Sequence, residues 1–355
     1  MVKLIEKELG SRKDGDNVIQ ISNWASRATL DIIGIAGMDY DFESLRHSHN
    51  ALNQQYRRLS KDPPMHLKIL FILGIATGNL WLTQNIPFER NREIKEASRV
   101  IRSTALQVIR AKKEKLEKKE PTGVDIISVA LANSDVFTDE NLVDQMMTFI
   151  GAGHETTATA LQWSVYALSQ YPDVQTRLRE EVRANLPPIS PDDPEPISAA
   201  TLDSLPYLNA VCNEILRYYP PVPTTARVVE KDTMVCGKLI PRGTFFVVAP
   251  KVINHSEELW GTDAGKFNPE RWLGPGRANT GGATSNYAFL TFIHGPRSCI
   301  GQGFAKAEMA CLVAAMVGRF KLELQYPDAE LKVRRGATVS PKDGVLAKLT
   351  PLEGW

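Results

Sequence analysis

Cysteine is scarce in this chain, and the four present (Cys212, Cys236, Cys299 and Cys311) form no C-x-x-C pair and no regular spacing. Neither a disulfide framework nor a cysteine zinc site is suggested, and a reducing compartment fits. An excess of one charge is also missing. With 42 Lys and Arg against 41 Asp and Glu, the formal net charge is +1, too even for a surface that neutralises many phosphates, so nucleic acid is not an expected partner. The most basic stretch, Arg110 to Lys119, alternates Lys with Glu and reads as a solvated helix face. The opening MVKLIEKELGSRKDGD has no apolar core, so neither a cleaved signal peptide nor a membrane anchor is expected at this start. Long apolar runs are lacking too. The longest window, Leu67 to Leu82, is broken by Gly74, Thr77, Gly78 and Asn79 and is shorter than the roughly 20 residues of a spanning helix. It reads as a buried or membrane-dipping segment, with peripheral membrane contact as one use.

What remains is an ordinary globular composition, 355 residues of which 43% are hydrophobic and 23% charged, enough for a large core. No internal repeat or dividing linker is visible, so one domain over residues 1–355 is expected. Apolar residues three and four apart predict helices over Asn23 to Gly37, Ser48 to Ser60 and Arg90 to Glu120. A longer one is expected from Asp139 to Gln170, capped by Thr138 and stopped by Tyr171-Pro172. At 1.5 Å per residue it would run about 48 Å. Gly151 and Gly153 interrupt its middle, so either a neighbour approaches the backbone there or the helix opens. A further helix is predicted over Leu202 to Tyr218, then a small antiparallel sheet within Arg227 to Val248, an irregular stretch from Asn254 to Ala288, a helix from Gln302 to Phe320, and short strands in the tail. The fold class is mainly α with small β-sheets.

The chemistry concentrates in Phe292-Ile-His-Gly-Pro-Arg-Ser-Cys299-Ile-Gly-Gln-Gly303. Three glycines and a proline make a tight loop whose backbone can meet a flat ligand without side-chain interference. Cys299 is expected at a helix N-terminus, where backbone N–H groups favour a thiolate. A thiolate so placed can ligate iron; a buried, inert thiol is the alternative. A phosphate loop is excluded because Gln302 follows Gly301 where Lys would be required.

These residues carry a resemblance. Phe292, Gly295, Arg297, Cys299 and Gly301 match F-x-x-G-x-R-x-C-x-G, the haem-binding signature of the cytochrome P-450 family, and the chain is similar to filamentous-fungal microsomal members. The resemblance implies haem b with Cys299 as axial ligand, and Phe292 and Gly301 against the cofactor. It further implies that Arg227 and Arg297 hold propionates; taken alone, Arg227 also reads as a solvated strand charge. Ala152-Gly-His-Glu155-Thr156-Thr157 looks like the family's oxygen-activation motif, giving Glu155 and Thr156 roles in proton delivery, in a helix where a bulge can expose them. Read without the resemblance, it is a helix with a polar patch. Glu214-Ile-Leu-Arg217 has the spacing of a weak surface ion pair; with Phe267-Asn-Pro-Glu-Arg271-Trp272 it resembles the family's buried network, in which Glu214, Arg217 and Arg271 support the Cys loop.

The expected activity is insertion of one oxygen atom of O2 into a lipophilic small molecule, in secondary metabolism, with electrons from an NADPH-cytochrome reductase at the cytosolic face of the endoplasmic reticulum. A haem-thiolate isomerase or peroxide-driven enzyme, or a non-catalytic remnant, are the alternatives. By the same resemblance Met1 falls inside the family fold, so its N-terminal anchor and early helices are expected to be absent, with a chain free in the cytoplasm as the alternative location. The W-x-x-x-R helix has no counterpart either: Trp24 is followed by Arg27 at the third place.

Overall fold

The computed structural model describes residues 1–12, 16–59, 64–76, 88–120, 125–132, 138–189 and 197–355. In chain order the elements are α1 (Val2–Ser11), β1 (Val18–Gln20), α2 (Ile21–Met38), α3 (Ala51–Leu59), α4 (Met65–Ala76), α5 (Glu89–Glu117), α6 (Ile126–Ala132), α7 (Asp139–Gln170), α8 (Pro172–Asn185), α9 (Ala199–Asp203) and α10 (Pro206–Tyr218). After them come β2 (Thr225–Val228), β3 (Thr233–Val235), β4 (Lys238–Ile240), β5 (Phe245–Val248), α11 (Pro250–Ile253), α12 (Glu257–Trp260), a 3-10 turn (Pro269–Trp272), α13 (Gln302–Arg319), β6 (Phe320–Leu324), β7 (Val333–Arg335), β8 (Val339–Pro341) and β9 (Leu346–Pro351). The chain is mainly α with small antiparallel sheets. Contacts group it into two compact units, one formed chiefly by residues 22–158 with 333–338, the other by 2–21, 159–332 and 339–355.

The long helix α7 runs where the spacing predicts, and Thr138 caps it, its Oγ1 accepting the Asn141 N–H at 3.2 Å. Pro172, which cannot donate the next helical bond, opens α8 instead. Leu202 to Tyr218 is not one helix, as the apolar spacing suggested. Pro206 takes the first position of a new one, and the chain divides into α9 and α10 with Leu205 extended between them. The region Arg227 to Val248 forms two separate two-stranded ladders, β2 with β5 and β3 with β4. The irregular stretch is likewise more ordered than its composition suggested, holding α12 and the 3-10 turn.

In the first unit, Lys112 on α5 is buried to 2% and Asp125 to 4%, with Nζ donating to Oδ2 at 2.6 Å; Asp39 accepts from Lys112 at 3.1 Å and Lys115 at 3.0 Å. Asp125 also caps α6, Oδ1 accepting the Ile127 and Ser128 N–H groups. Burial pushes the Asp125 carboxyl up, but bonds from Lys112 and Ser128 outweigh it and the net shift is down; Asp39 is lowered by Lys115 and then Lys112. Both folded-state pKa values lie below the unfolded value, so the pair's stabilisation is complete above about pH 4 and disappears as pH falls through the folded values. The melting temperature should drop on acidification through that window, and Asp125→Asn should flatten the dependence. An unchanged slope in the variant would contradict this.

In the second unit, β1, β9 and β6 form one antiparallel sheet in that order, with Ile19 opposite Ala347 and Leu322 opposite Leu349. All four side chains are buried. Helix α10 is buried on every side from Tyr207 to Arg217 except Asn209, as befits a helix inside a core. It carries two charges into that interior.

Candidate functional site

Glu214 and Arg217 lie one turn apart on α10, both 0% exposed. All five N–H donors of the Arg217 guanidinium are used. Nε and one Nη reach the two oxygens of Glu214 at 2.8 Å each; the others bond the carbonyls of Asn254 (2.7 Å), Ala264 (2.8 Å) and Lys266 (2.8 Å). Glu214 also accepts from the Asn268 N–H (2.7 Å), Arg271 Nε (3.2 Å) and Trp272 Nε1 (2.9 Å). Arg271 is shared with Asp263, at 3.1 Å. Stripped of solvent, these charges are tolerable only because each finds counter-charge and hydrogen bonds.

Asn254, which sequence reasoning passed over, joins this network to the cysteine loop. It is 0% exposed, and its Nδ2 donates to Arg217 O (3.1 Å) and Thr291 Oγ1 (2.8 Å) while its Oδ1 accepts the Leu290 N–H (2.9 Å). Thr291 in turn donates to Leu216 O at 2.8 Å. Residues 290 and 291, immediately before Phe292, are thus fastened to the end of α10. A single Asn between Ile253 and His255 gives no motif by which to find it. Trp272 and Asn268, by contrast, lie inside the recognised segment, and only their bonding direction was hidden.

From this anchorage the loop turns outward. The Phe292 carbonyl accepts the Cys299 N–H at 2.8 Å, closing it, and Gly295 O accepts the Ser298 N–H at 3.0 Å. Ile293 holds φ 59°, a left-handed conformation costly for a β-branched residue and sustained here by the Leu290 and Phe292 bonds on either side. Gly301 is the N-cap of α13 and its carbonyl receives Ala305 N–H at 2.8 Å; Cys299 therefore lies two residues ahead of the cap. Phe292 is half-buried, with the Phe289 ring edge-on at 6.4 Å. Everything from His294 to Ile300 is exposed, Ile300 by 90%.

The Cys299 thiol is free and exposed. A Cβ added at Gly295, Gly301 or Gly303 would meet nothing within 4 Å. A backbone surface of this kind, with an uncovered apolar side chain and a thiol beside it, has the form that a flat apolar disc would cover, so the residues present fit a haem. Cys212 does not compete: burial pushes its thiol up to about 12. Among the described residues no three His, Cys, Asp or Glu side chains gather into a metal cage, and a single thiolate is the ligand pattern that a porphyrin completes. Arg297 is exposed, and the Arg227 side chain, among the described residues, bonds its neighbours Thr225 Oγ1 (3.1 Å) and Ala226 O (2.7 Å).

In the first unit, α7 stays a regular helix through residues 151–157, without the bulge that the motif suggested. The glycines are explained by close neighbours: a Cβ on Gly153 would come within 2.9 Å of Ile33, and one on Gly151 within 3.3 Å of Tyr56. Thr156 donates back to Ala152 O at 2.8 Å. Glu155 accepts from Thr338 Oγ1 at 3.1 Å and pairs with Arg334 at 3.6 Å. His154 is fully buried; its Nδ1 lies 3.2 Å from Ile150 O and so carries the proton, and burial holds the ring neutral. Trp24 and Arg27 also pair, with the guanidinium 4.4 Å over the ring, and Arg27 donates to the Ser44 and Leu45 carbonyls.

The family model described as cytochrome P-450 matches residues 1–348. The chain belongs to that family. Cytochromes P-450 carry haem b on a cysteine thiolate. Among curated proteins, the cytochrome P-450 monooxygenase sphH of Aspergillus fumigatus is 59% identical over 357 residues, and FSL4 of Gibberella zeae 42% over 377. Both alignments cover 100% of this chain and 66% of the relative. The monooxygenase FUM15 of Gibberella moniliformis is 39% identical, over 98% of this chain and 66% of its own length. This cytochrome P-450 chain thus spans just under two thirds of the length of those relatives.

Proposed function

We propose that the chain provides the haem-thiolate site of a monooxygenase acting on a lipophilic small molecule, with Cys299 as the axial ligand. The observation that carries this reading is the loop itself: an exposed thiol and open-faced glycines on a backbone fastened through Asn254 to a buried ionic network. Thiolate-ligated haem supplies the activation of O2 from which one oxygen atom passes to the substrate. The chain's own residues do the rest. Arg297 and Arg227 are free to turn their guanidinium forks to the propionate carboxylates. Phe292 and Gly301 would border the cofactor. Glu155, held by Arg334 and Thr338, would receive and release protons, and Thr156 would share in that delivery through its hydroxyl. Electrons come from an NADPH-dependent reductase, and fungal secondary metabolism is the setting that the relatives suggest.

The reduced, carbon-monoxide-treated protein should give the red-shifted Soret band of a thiolate complex, and Cys299→Ala should abolish it. A band that survives the substitution would refute the assignment.

We also propose that this site works at the cytosolic face of the endoplasmic reticulum. Among the described residues no helix is long and apolar enough to cross a membrane. Within α4, however, Met65, Ile69 and Leu73, each four residues from the next, are 69%, 51% and 54% exposed, an apolar stripe suited to a bilayer surface. The remainder of the Leu67 to Leu82 window, from Thr77, lies outside the described residues. Phospholipid vesicles should sediment the protein, and Ile69→Glu with Leu73→Glu should reduce the bound fraction several-fold. Equal sedimentation of the variant would exclude α4 as the contact.

A further inference from the structure

Lys251 occupies surroundings unlike those of a surface lysine. It lies in α11, its backbone N–H bonded to Pro223 O at 3.2 Å, and its side chain folds back over the end of α10. There Nζ donates to Tyr218 O at 2.6 Å and stands 3.0 Å from His255 Nε2. The rings of Tyr218 and Tyr219 flank it at 5.0 and 5.8 Å. The charged group that acts on it is Arg217, already paired with Glu214, and no carboxylate forms an ion pair with it among the described residues.

The protonation of His255 follows from geometry. Its Nδ1 is 2.9 Å from Lys251 O, and a carbonyl can only accept, so Nδ1 carries the hydrogen and Nε2 presents a lone pair to the lysine. Lys251 thus rests on two neutral acceptors, one of them a base, against aromatic walls and half-exposed to solvent.

We infer that Lys251 is a covalent capture site for small aromatic or apolar carbonyl compounds, which it binds as an imine, with neutral His255 as a hydrogen-bond acceptor that orients the amine. The ammonium first releases one proton to solvent; the freed nitrogen pair forms a bond to the carbonyl carbon as the C=O π pair moves to oxygen. The carbinolamine oxygen then leaves as water, with one proton taken from solvent and one lost from nitrogen, as the C=N bond closes. No oxidant or reductant is consumed. Burial, then the Arg217 charge, pushes the Lys251 amine down to about 8; burial, then the charges of Lys251 and Arg217, pushes His255 down to about 4. The uncharged amine is therefore populated near neutral pH on the order of a hundredfold more than in an ordinary lysine. Tyr218, Tyr219, His255 and Arg217 are the titratable or charged groups facing it.

The alternative is that Lys251 simply caps the C-terminus of α10 as a permanent ammonium. The full chain, treated near neutral pH with benzaldehyde and cyanoborohydride and mapped by peptide mass spectrometry, separates the two. Lys251 should acquire the benzyl group roughly tenfold or more faster than exposed Lys231 and Lys238. Urea, which removes the burial and separates Lys251 from Arg217, should erase that lead while the rates of the exposed lysines hold. Labelling of Lys251 no faster than Lys231 in the folded chain, or a lead that persists in urea, overturns the inference.

Discussion

Glu214→Ala should cost about 3–5 kcal/mol, the effect of leaving buried charges without their partner. Arg217 would keep its bonds to Asn254, Ala264 and Lys266 but face no anion, and the Trp272 Nε1 and Asn268 N–H groups would lose their acceptor. Against a total stability of about 5–15 kcal/mol this is a large fraction, and the thermal midpoint should fall by about 4–7 °C. Glu214→Gln should be nearly as damaging, since its amide NH2 would confront donors where a second carboxylate oxygen accepted them. The pair is coupled, so Arg217→Met combined with Glu214→Ala should cost clearly less than the sum of the two single changes. Thermal melts followed by far-ultraviolet circular dichroism measure all three. Additive costs, or a midpoint within a degree of the parent, would show that the network does not hold this unit together.

Asn254→Ala is the second large effect, with a different signature. The substitution leaves the Leu290 N–H and the Arg217 carbonyl in a buried place without their side-chain partner, at about 1–3 kcal/mol each. The Glu214–Arg217 pair stays whole, so secondary structure should survive at room temperature. What loosens is the chain entering Phe292, and with it the backbone under Cys299. Haem added to the refolded variant should bind at least several-fold more weakly than to the parent, while the circular dichroism spectrum remains the same. Asn254→Asp can keep the Leu290 bond but cannot donate to Thr291 or Arg217, and should fall between the two. Equal haem retention in Asn254→Ala would mean that the loop holds its shape without this tie.

How much of this was legible beforehand differs from residue to residue. The limits of α7 were written in Thr138 and Pro172, because a hydroxyl cap and a missing N–H act locally, within a turn of where they stand. Pro206 is just as local, yet the apolar spacing running through it concealed the break between α9 and α10. Residues 151–157 show the converse: of the two readings of the glycines, a close neighbour or an opened helix, the first holds. Two glycines weaken a helix, but Ile33 and Tyr56 pack against them in the first unit and the helix continues. Nothing near Gly153 in the sequence announces Ile33.

The sequence by itself determined the family, the helical character, and which cysteine among four stands in a glycine-rich loop, since these depend on residue identity and short spacing. Only the tertiary structure decided what the charges do. By spacing alone Glu214 and Arg217 read as a surface ion pair, and the family resemblance made them a buried network with Arg271; the buried α10 supplies the carbonyl and indole partners that neither reading named, while Asn254 and Lys251 read as nothing at all. Their significance lies in partners up to 37 positions away, and hydrogen bonds of that reach come from packing, which no local pattern encodes.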